Sequence, residues 1–542
     1  VQTKSIKADY CSWAIVRFKV RDGQKCAGDL FVRGDIQGPL AWDKSSKAFT
    51  GWFELPAKGE ERGFYEITAG DEPDPTILQR VNIQYTFDKF YFPPRWENIN
   101  QLNAYLAKRY APVVQREILY RYPRYKRNIQ LLKITDPSVP QSRKQIIFLT
   151  ARVHNPESGT TASLFRFTKW LLEGQGREFL RDYLFLIIPM VIPLTFEEDP
   201  RLHSVNREWR DDTVEPDLLA IREKVLDRYL PEAWIDCHTF NAEMDLTNKK
   251  EMREQHGDYI VAHTPEEQAF DESYSRDIAL RLIRAAEAQG HRHRTRSYFL
   301  NWERNFKKGP FVKPGERVKT RFHPAGIFSG KDYSFYADRD AYGLNGRTWA
   351  AMACDYGYAR CHAINLCLES KPLHVYWGRG PFHYPRRFSD SSVVKLQELC
   401  RLGREQFPGQ PCSGFPCHLL LSDAFENESS VILCAWGNDR QTLRQSRGIL
   451  WKHRRSIQIH RIEPFVKGKP MHFQIFCIAS IKPVAAAVRV KAPSSDTSAT
   501  ITINGREIRQ RAADGFLFIP LVVRQGKQDI KVVWQRNTKR SK

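Results

Sequence analysis

Apolar residues fall along this chain in three regimes. Up to about residue 96 they come in short runs between turn residues. Trp13-Ala14-Ile15-Val16-Arg17-Phe18-Lys19-Val20 is followed by Asp22-Gly23, and then come Gly51-Trp52-Phe53-Glu54-Leu55 and Gly63-Phe64-Tyr65-Glu66-Ile67. Strands of this length and spacing predict a small β-sandwich over residues 1–96. From 97 to 407 strand-length apolar runs alternate with helical periodicity. Gln145 to Thr150 predicts a strand, and Leu164, Phe165, Thr168, Leu171 and Leu172 then carry helical spacing up to Gly174. Tyr183 to Met190 and Ala233 to Cys237 predict further strands, and Pro216 to Leu230 predicts a helix with proline in its first turn. Helical spacing returns in Ser275 to Gln289 and in Ser391 to Phe407. Alternation of this kind predicts an α/β layer structure, a central sheet with helices packed on it. After Pro408-Gly409-Gln410-Pro411 the pattern is strand-like again, in Val431 to Cys434, Ile457 to His460, Phe473 to Phe476, Val488 to Val490 and Ile530 to Trp534. It predicts a second β-sandwich over 408–542.

Composition narrows the classes. With 542 residues, 42% of them hydrophobic, there is ample material for several buried cores, so wholesale disorder is excluded. The most apolar stretch, Tyr183 to Leu194, is short and broken by Pro189 and Pro193, so no spanning helix is expected. Lysine and arginine number 84 against 62 acids, a formal charge of +22 that favours acidic partners. Nucleic-acid signatures are missing, and no specific nucleic-acid binding is expected. The 11 cysteines include no Cys-x-x-Cys, and Cys354, Cys361 and Cys367 sit among apolar residues as buried thiols. The chain begins at Val1, which leaves a processed leader or a truncated start equally open.

The chemistry collects at strand ends. His-x-x-Glu occurs three times, as His154/Glu157, His263/Glu266 and His460/Glu463, and alone it means little. The second lies in a polar loop and the third inside a C-terminal strand. His154 differs because it follows the strand ending at Thr150 and precedes a helix, and His238 directly follows the run Ala233 to Cys237. In an open α/β sheet ligands bind beyond the carboxyl ends of strands. Two imidazoles and a carboxylate there can give zinc three protein ligands and leave a fourth position for water. Asn206-Arg207 lies between them and can grip a substrate carboxylate by bidentate hydrogen bonds. In the strand Cys361 to Glu369, Ile364, Leu366 and Leu368 share one face and Asn365, Cys367 and Glu369 the other. A carboxylate at the end of so apolar a strand needs a partner, and a zinc-bound water would supply one.

The order His154-x-x-Glu157, Asn206-Arg207, His238, Glu369 resembles the zinc metallocarboxypeptidases of the funnelin type. Ala151-Arg152-Val153-His154-x-x-Glu157-Ser158, the stretch Tyr85 to Leu106 and Asp355-Tyr356-Gly357-Tyr358 are most similar to the cytosolic-carboxypeptidase subfamily, whose members trim C-terminal residues and glutamate chains. The resemblance spans about residues 1–405 and leaves the C-terminal sandwich outside. It implies a central mixed sheet flanked by helices, and one Zn²⁺ per chain on His154, Glu157 and His238, with Glu369 as general base and acid. It further implies Asn206 and Arg207 on the substrate's terminal carboxylate. Asn155-Pro156 stands where the subfamily has Pro-Gly, and Ser204-Val205 where it has Asp-Leu. The segment from Pro189 to Asn206 is short and lacks the Asn-Pro-Asp-Gly turn. For the arginine that polarises the scissile carbonyl the candidates are Arg201, which is preferred, and Arg210. Tyr342 is the candidate capping tyrosine.

The expected activity is hydrolysis of the C-terminal peptide or isopeptide bond of a peptide or protein. Residues 291–323 hold ten Lys/Arg against Glu303 and Glu316, a net +8, and point to acidic C-termini. Two alternatives stay open: a zinc deacylase of N-acyl amino acids, and a binding protein that keeps the fold without turnover. The resemblance favours a cytoplasmic location, with secretion left open by the Val1 start, and the sequence leaves the oligomeric state unassigned.

Overall fold

Four apolar runs, too thoroughly hydrophobic to leave a face in water, lie side by side and parallel. They are Ile364–Ser370, Ala233–Thr239, Gln145–Ala151 and Tyr183–Ile188, in that spatial order. Tyr259–Ala262 adds antiparallel at one edge and is followed by Ile327–Ser329. Arg127–Ile134 and Val114–Tyr122, two strands that the sequence reading did not single out, extend the other edge antiparallel and complete an eight-stranded mixed sheet. The computed structural model describes residues 2–9, 12–20, 29–55, 62–70, 73, 75–86, 94–154, 157–194, 198, 209, 215–239, 259–262, 274–291, 327–329, 364–370, 390–405, 407, 413–415, 431–453, 456–461, 469–493, 497–512 and 516–535.

Strand alternation divides the sheet's two faces. Ile147, Leu149, Phe185, Ile187, Ile235, Leu366 and Leu368 face a core shared with the helices Trp96–Arg109, Ser158–Glu173, Tyr274–Ala288 and Ser391–Leu402. Ile146, Phe148, Leu184, Leu186, Ile188 and Trp234 face a second core. It is closed by Leu218, Ile221, Val225 and Tyr229 from Pro216–Ile221 and its π-helical continuation. Layered helices on both faces are the arrangement that a parallel sheet requires. Among the parallel strands the chain lays down Gln145–Ala151 first, places Tyr183–Ile188 on one side of it, and crosses to place Ala233–Thr239 on the other. That reversal opens a crevice at the carboxyl ends of the central strands.

The N-terminal residues form a seven-stranded sheet whose two halves share one core, including Val16, Leu30, Phe53, Ile67 and Ile83. It is not self-contained. Trp13 and Trp52, with ring centroids 5.1 Å apart, turn away from that core and pack into the central one, where Trp13 meets Phe165 at 5.7 Å. Trp52 Nε1 donates to Glu173 Oε1 at 2.7 Å, and Arg166 pairs with Glu54 at 2.6 Å and with Asp390 at 2.5 Å. The helix that follows the His154 turn is thereby clamped on its outer side.

At the other end a three-stranded and a five-stranded sheet share a C-terminal core. The strand-like reading of this region missed the helix Arg440–Lys452. That helix has two allegiances. Leu443 and Leu450 join the C-terminal core, while Arg444 and Arg447 reach Glu232, each at 3.3 Å. Glu232 sits where the central strand Ala233–Thr239 begins, at the end of the sheet opposite the metal cluster, and accepts from the Ile146 N–H at 2.6 Å. Among the described residues no helix is long and apolar enough to cross a membrane.

Burial opposes the charge on Glu232, but Arg444 and Arg447 outweigh it and hold the carboxyl below its usual range. A depressed carboxylate contributes stability that is present above the unfolded value of about 4.3 and is lost as pH falls through the folded one. Glu232→Gln should cost about 3–5 kcal/mol at neutral pH by leaving buried guanidinium without its counter-charge. It should also flatten the acid limb of the stability curve. Denaturant melts from neutral pH to about pH 3 check both; equal stability of the variant and the parent at neutral pH would contradict the role given to this pair.

Candidate metal centre

The crevice is built from three short pieces of chain. After Ala151 the backbone turns at Arg152, whose φ of 54° is left-handed and unusual for a side chain of its size. Arg152 is buried, and its Nη1 donates to Pro94 O at 2.6 Å. The Val191 and Ile192 N–H groups donate to Ala151 O and Arg152 O, which ties the turn to the end of the neighbouring strand. The Glu157 N–H then donates to His154 O at 3.2 Å, a turn that sets the two side chains together. His154 Nδ1 and Glu157 Oε1 lie 2.8 Å apart.

His238 is one residue deeper than the sequence suggested, inside Ala233–Thr239, and is buried. Its Nδ1 lies 3.0 Å from Glu157 Oε2. That oxygen is buried without a hydrogen-bond partner among the described residues, so the close approach is not a hydrogen bond. The His154 and His238 rings meet edge to face with centroids 5.0 Å apart. The ligand atoms of His154, Glu157 and His238 all lie within 4.8 Å of one another. Two donors on one tetrahedral ion stand roughly 3.3 Å apart, so this spacing and this set of two nitrogens and a carboxylate fit a zinc-like cation.

Electrostatics explains why the cluster is tolerated. Burial works against the charge on Glu157, yet His238 and then His154 outweigh it and hold the carboxyl down at about 2. Burial likewise pulls His238 down, and Asp236 followed by Glu157 reverses that and holds it well above the usual imidazole value. Arg152 is pulled down to about 9 by burial, partly offset by the charge of Glu157.

Sequence reasoning missed what fixes His238. Asp236, two residues earlier on the same strand face, accepts from His238 Nε2 at 2.8 Å and from Thr150 Oγ1 at 2.6 Å. Thr150 Oγ1 in turn accepts from Trp234 Nε1 at 3.0 Å. With its proton on Nε2, the imidazole presents Nδ1 to Glu157 and to any ion seated there. The available signal was the i, i+2 spacing of Asp236 and His238 within a strand.

Glu369 comes from the next strand, where the parallel register sets it opposite His238 and sets Cys367 opposite Asp236. Cys367 Sγ donates to Glu369 Oε1 at 3.6 Å. Burial, reinforced by Glu157, pushes the Glu369 carboxyl up to about 7 against the pull of His238 and His154. The cluster therefore combines three metal donors with a carboxyl able to exchange a proton near neutrality, the parts that metal-assisted hydrolysis needs.

Asn206, Arg207, Arg201, Arg210 and Tyr342 lie outside the described residues, as do His263, Glu266 and residues 292–323. His460 is exposed on Ile457–Arg461 against Gln458 Oε1, in a different sheet from this cluster's strands. Cys367 is a buried thiol as expected, whereas Cys354 and Cys361 lie outside the described residues.

Asp236→Asn keeps the side chain's shape but removes the charge that holds the proton on Nε2. Metal affinity, measured by competition with a chromophoric chelator, should fall about 10–100-fold. Unchanged affinity would show that Asp236 does not orient His238.

No family model matches the chain. It is 30% identical over 229 residues to cytosolic carboxypeptidase 6 of Caenorhabditis elegans, a match covering 39% of this chain and 48% of that protein. The match thus spans about half the length of that relative. Solved structures similar to this chain include a metallo-carboxypeptidase from Burkholderia cenocepacia, with TM-score 0.34 and 14% identity over 72% of this chain and 85% of that one. Bovine thrombin-activatable fibrinolysis inhibitor in complex with tick carboxypeptidase inhibitor is another, with TM-score 0.36 and 13% identity over 58% of this chain and 97% of that one.

Proposed function

We propose that this protein is a zinc-dependent carboxypeptidase that removes residues from the C-terminus of peptides or proteins, of the cytosolic-carboxypeptidase kind. One observation carries the reading: His154, Glu157 and His238 converge on one point, and Glu369 stands opposite His238 at the carboxyl end of the neighbouring strand. The partial identity to the nematode cytosolic carboxypeptidase supports the subfamily.

His154, Glu157 and His238 would hold the ion. Zinc held there would supply Lewis-acid polarisation of the scissile carbonyl and would acidify water near neutral pH. Glu369 would accept a proton from the attacking water and return it to the leaving amine, a double task suited to a carboxyl that burial pushes up to about 7. Cys367 and the surrounding strands hold Glu369 out of bulk solvent. Asp236 keeps His238 in one tautomer throughout. In this proposal Arg207 and Asn206 bind the free carboxylate and make the enzyme an exopeptidase, Arg201 polarises the carbonyl, and Tyr342 caps the substrate. The net +8 of residues 291–323 draws in acidic tails.

Mass spectrometry of a peptide library incubated with zinc-loaded protein should show ladders shortened from the C-terminus, and amidated versions of the same peptides should stay intact. Cleavage of the amidated set at internal bonds would reject the exopeptidase reading. Glu369→Gln should retain metal and lower kcat about 10²–10⁴-fold; a near-normal kcat would assign the base elsewhere. Peptides ending in Glu or Asp should be trimmed faster than matched Ala, Phe or Lys peptides, and the advantage should shrink as salt screens the charge. A salt-independent preference for Lys or Phe would reject acidic substrates and leave the carboxypeptidase reading standing.

A further inference from the structure

The strand register that brings Glu369 to His238 also brings a thiol. Cys367 and Glu369 lie two residues apart on one face of Ile364–Ser370, and their register partners Asp236 and His238 lie two apart on the adjacent strand. The result is a block of four polar side chains pressed between apolar layers. His238 is 2% exposed, Cys367 1% and Glu369 6%. The ligand atoms of these three all lie within 4.8 Å of one another.

We propose that His238, Cys367 and Glu369 form a second metal seat, selective for a soft cation such as Cd²⁺, which shares His238 with the first seat and excludes its occupant. The donor chemistry separates the two. His154, Glu157 and His238 offer nitrogen and oxygen, whereas the second seat adds a thiolate, which soft cations prefer. Binding forms a bond from Cys367 Sγ to the metal, and the thiol proton leaves to solvent with no change of oxidation state. Because Asp236 engages Nε2, the atom His238 has to offer is Nδ1, and both seats compete for it. Cation binding at the second seat also occupies Glu369, so a soft metal should silence turnover. That consequence rests on the peptidase reading; the binding itself does not.

The test is titration of the metal-free protein with Cd²⁺, followed by the ultraviolet thiolate-to-cadmium charge-transfer band. The parent protein should develop the band at stoichiometric cadmium. Cys367→Ser should lose it, with Cd²⁺ affinity reduced at least roughly tenfold. His154→Ala should keep it, because His154 belongs to the first seat alone. Cys367→Thr serves as a second variant, with near-ultraviolet circular dichroism used to select the folded form. Absence of the band in the parent, its survival in a folded Cys367 variant, or its loss in His154→Ala would each overturn the second seat. Since the readout is absorbance, the outcome is decided whether or not the protein hydrolyses peptides.

Discussion

Two carboxylates within reach of one buried imidazole are the constraint around which this protein is organised. Glu157 and Glu369 both belong to the surroundings of His238, and a third, Asp236, holds its far nitrogen. Left to themselves in a low-dielectric layer, such groups would repel and pick up protons. The fold instead separates their behaviour. Glu157, flanked by two imidazoles, is held ionised at about 2 against its burial, whereas burial and the charge of Glu157 push Glu369 up to about 7. The two carboxyls thus differ in how readily each carries a proton.

Holding that arrangement falls to structure distant from the site. Burial of both faces of the parallel strands fixes their register, and a slip of one residue would turn His238 and Glu369 into the opposite, wholly apolar core. The helix after Glu157 is gripped by Trp13, Trp52 and Glu54 of the N-terminal sheet. At the far ends of the same strands Glu232 anchors the C-terminal helix through Arg444 and Arg447. Both flanking units therefore bear on the sheet that carries the chemistry.

Much of this was legible in the sequence. The strand runs at Gln145, Tyr183 and Ala233 and the helices beginning near residues 161, 275 and 391 emerged close to their predicted bounds. The alternation in Ile364 to Glu369 correctly assigned its faces. What escaped depends on partners distant in sequence. Asp236 read as one polar letter in a strand, and its role emerges only beside Thr150 on another. The helix Arg440–Lys452 has few apolar positions and a central Gly448, and its arginine face acquires meaning only against Glu232. Trp13 and Trp52 looked like sandwich residues, yet they fill the neighbouring core.

If His154, Glu157 and His238 together hold one metal ion, loss of His238 should empty the site. Plasma mass spectrometry of the purified parent and of His238→Ala after dialysis against zinc decides this. About one zinc per parent chain, the number a mononuclear catalytic site takes, and almost none in the variant are the expected results. Stoichiometric zinc retained by folded His238→Ala would overturn the assignment.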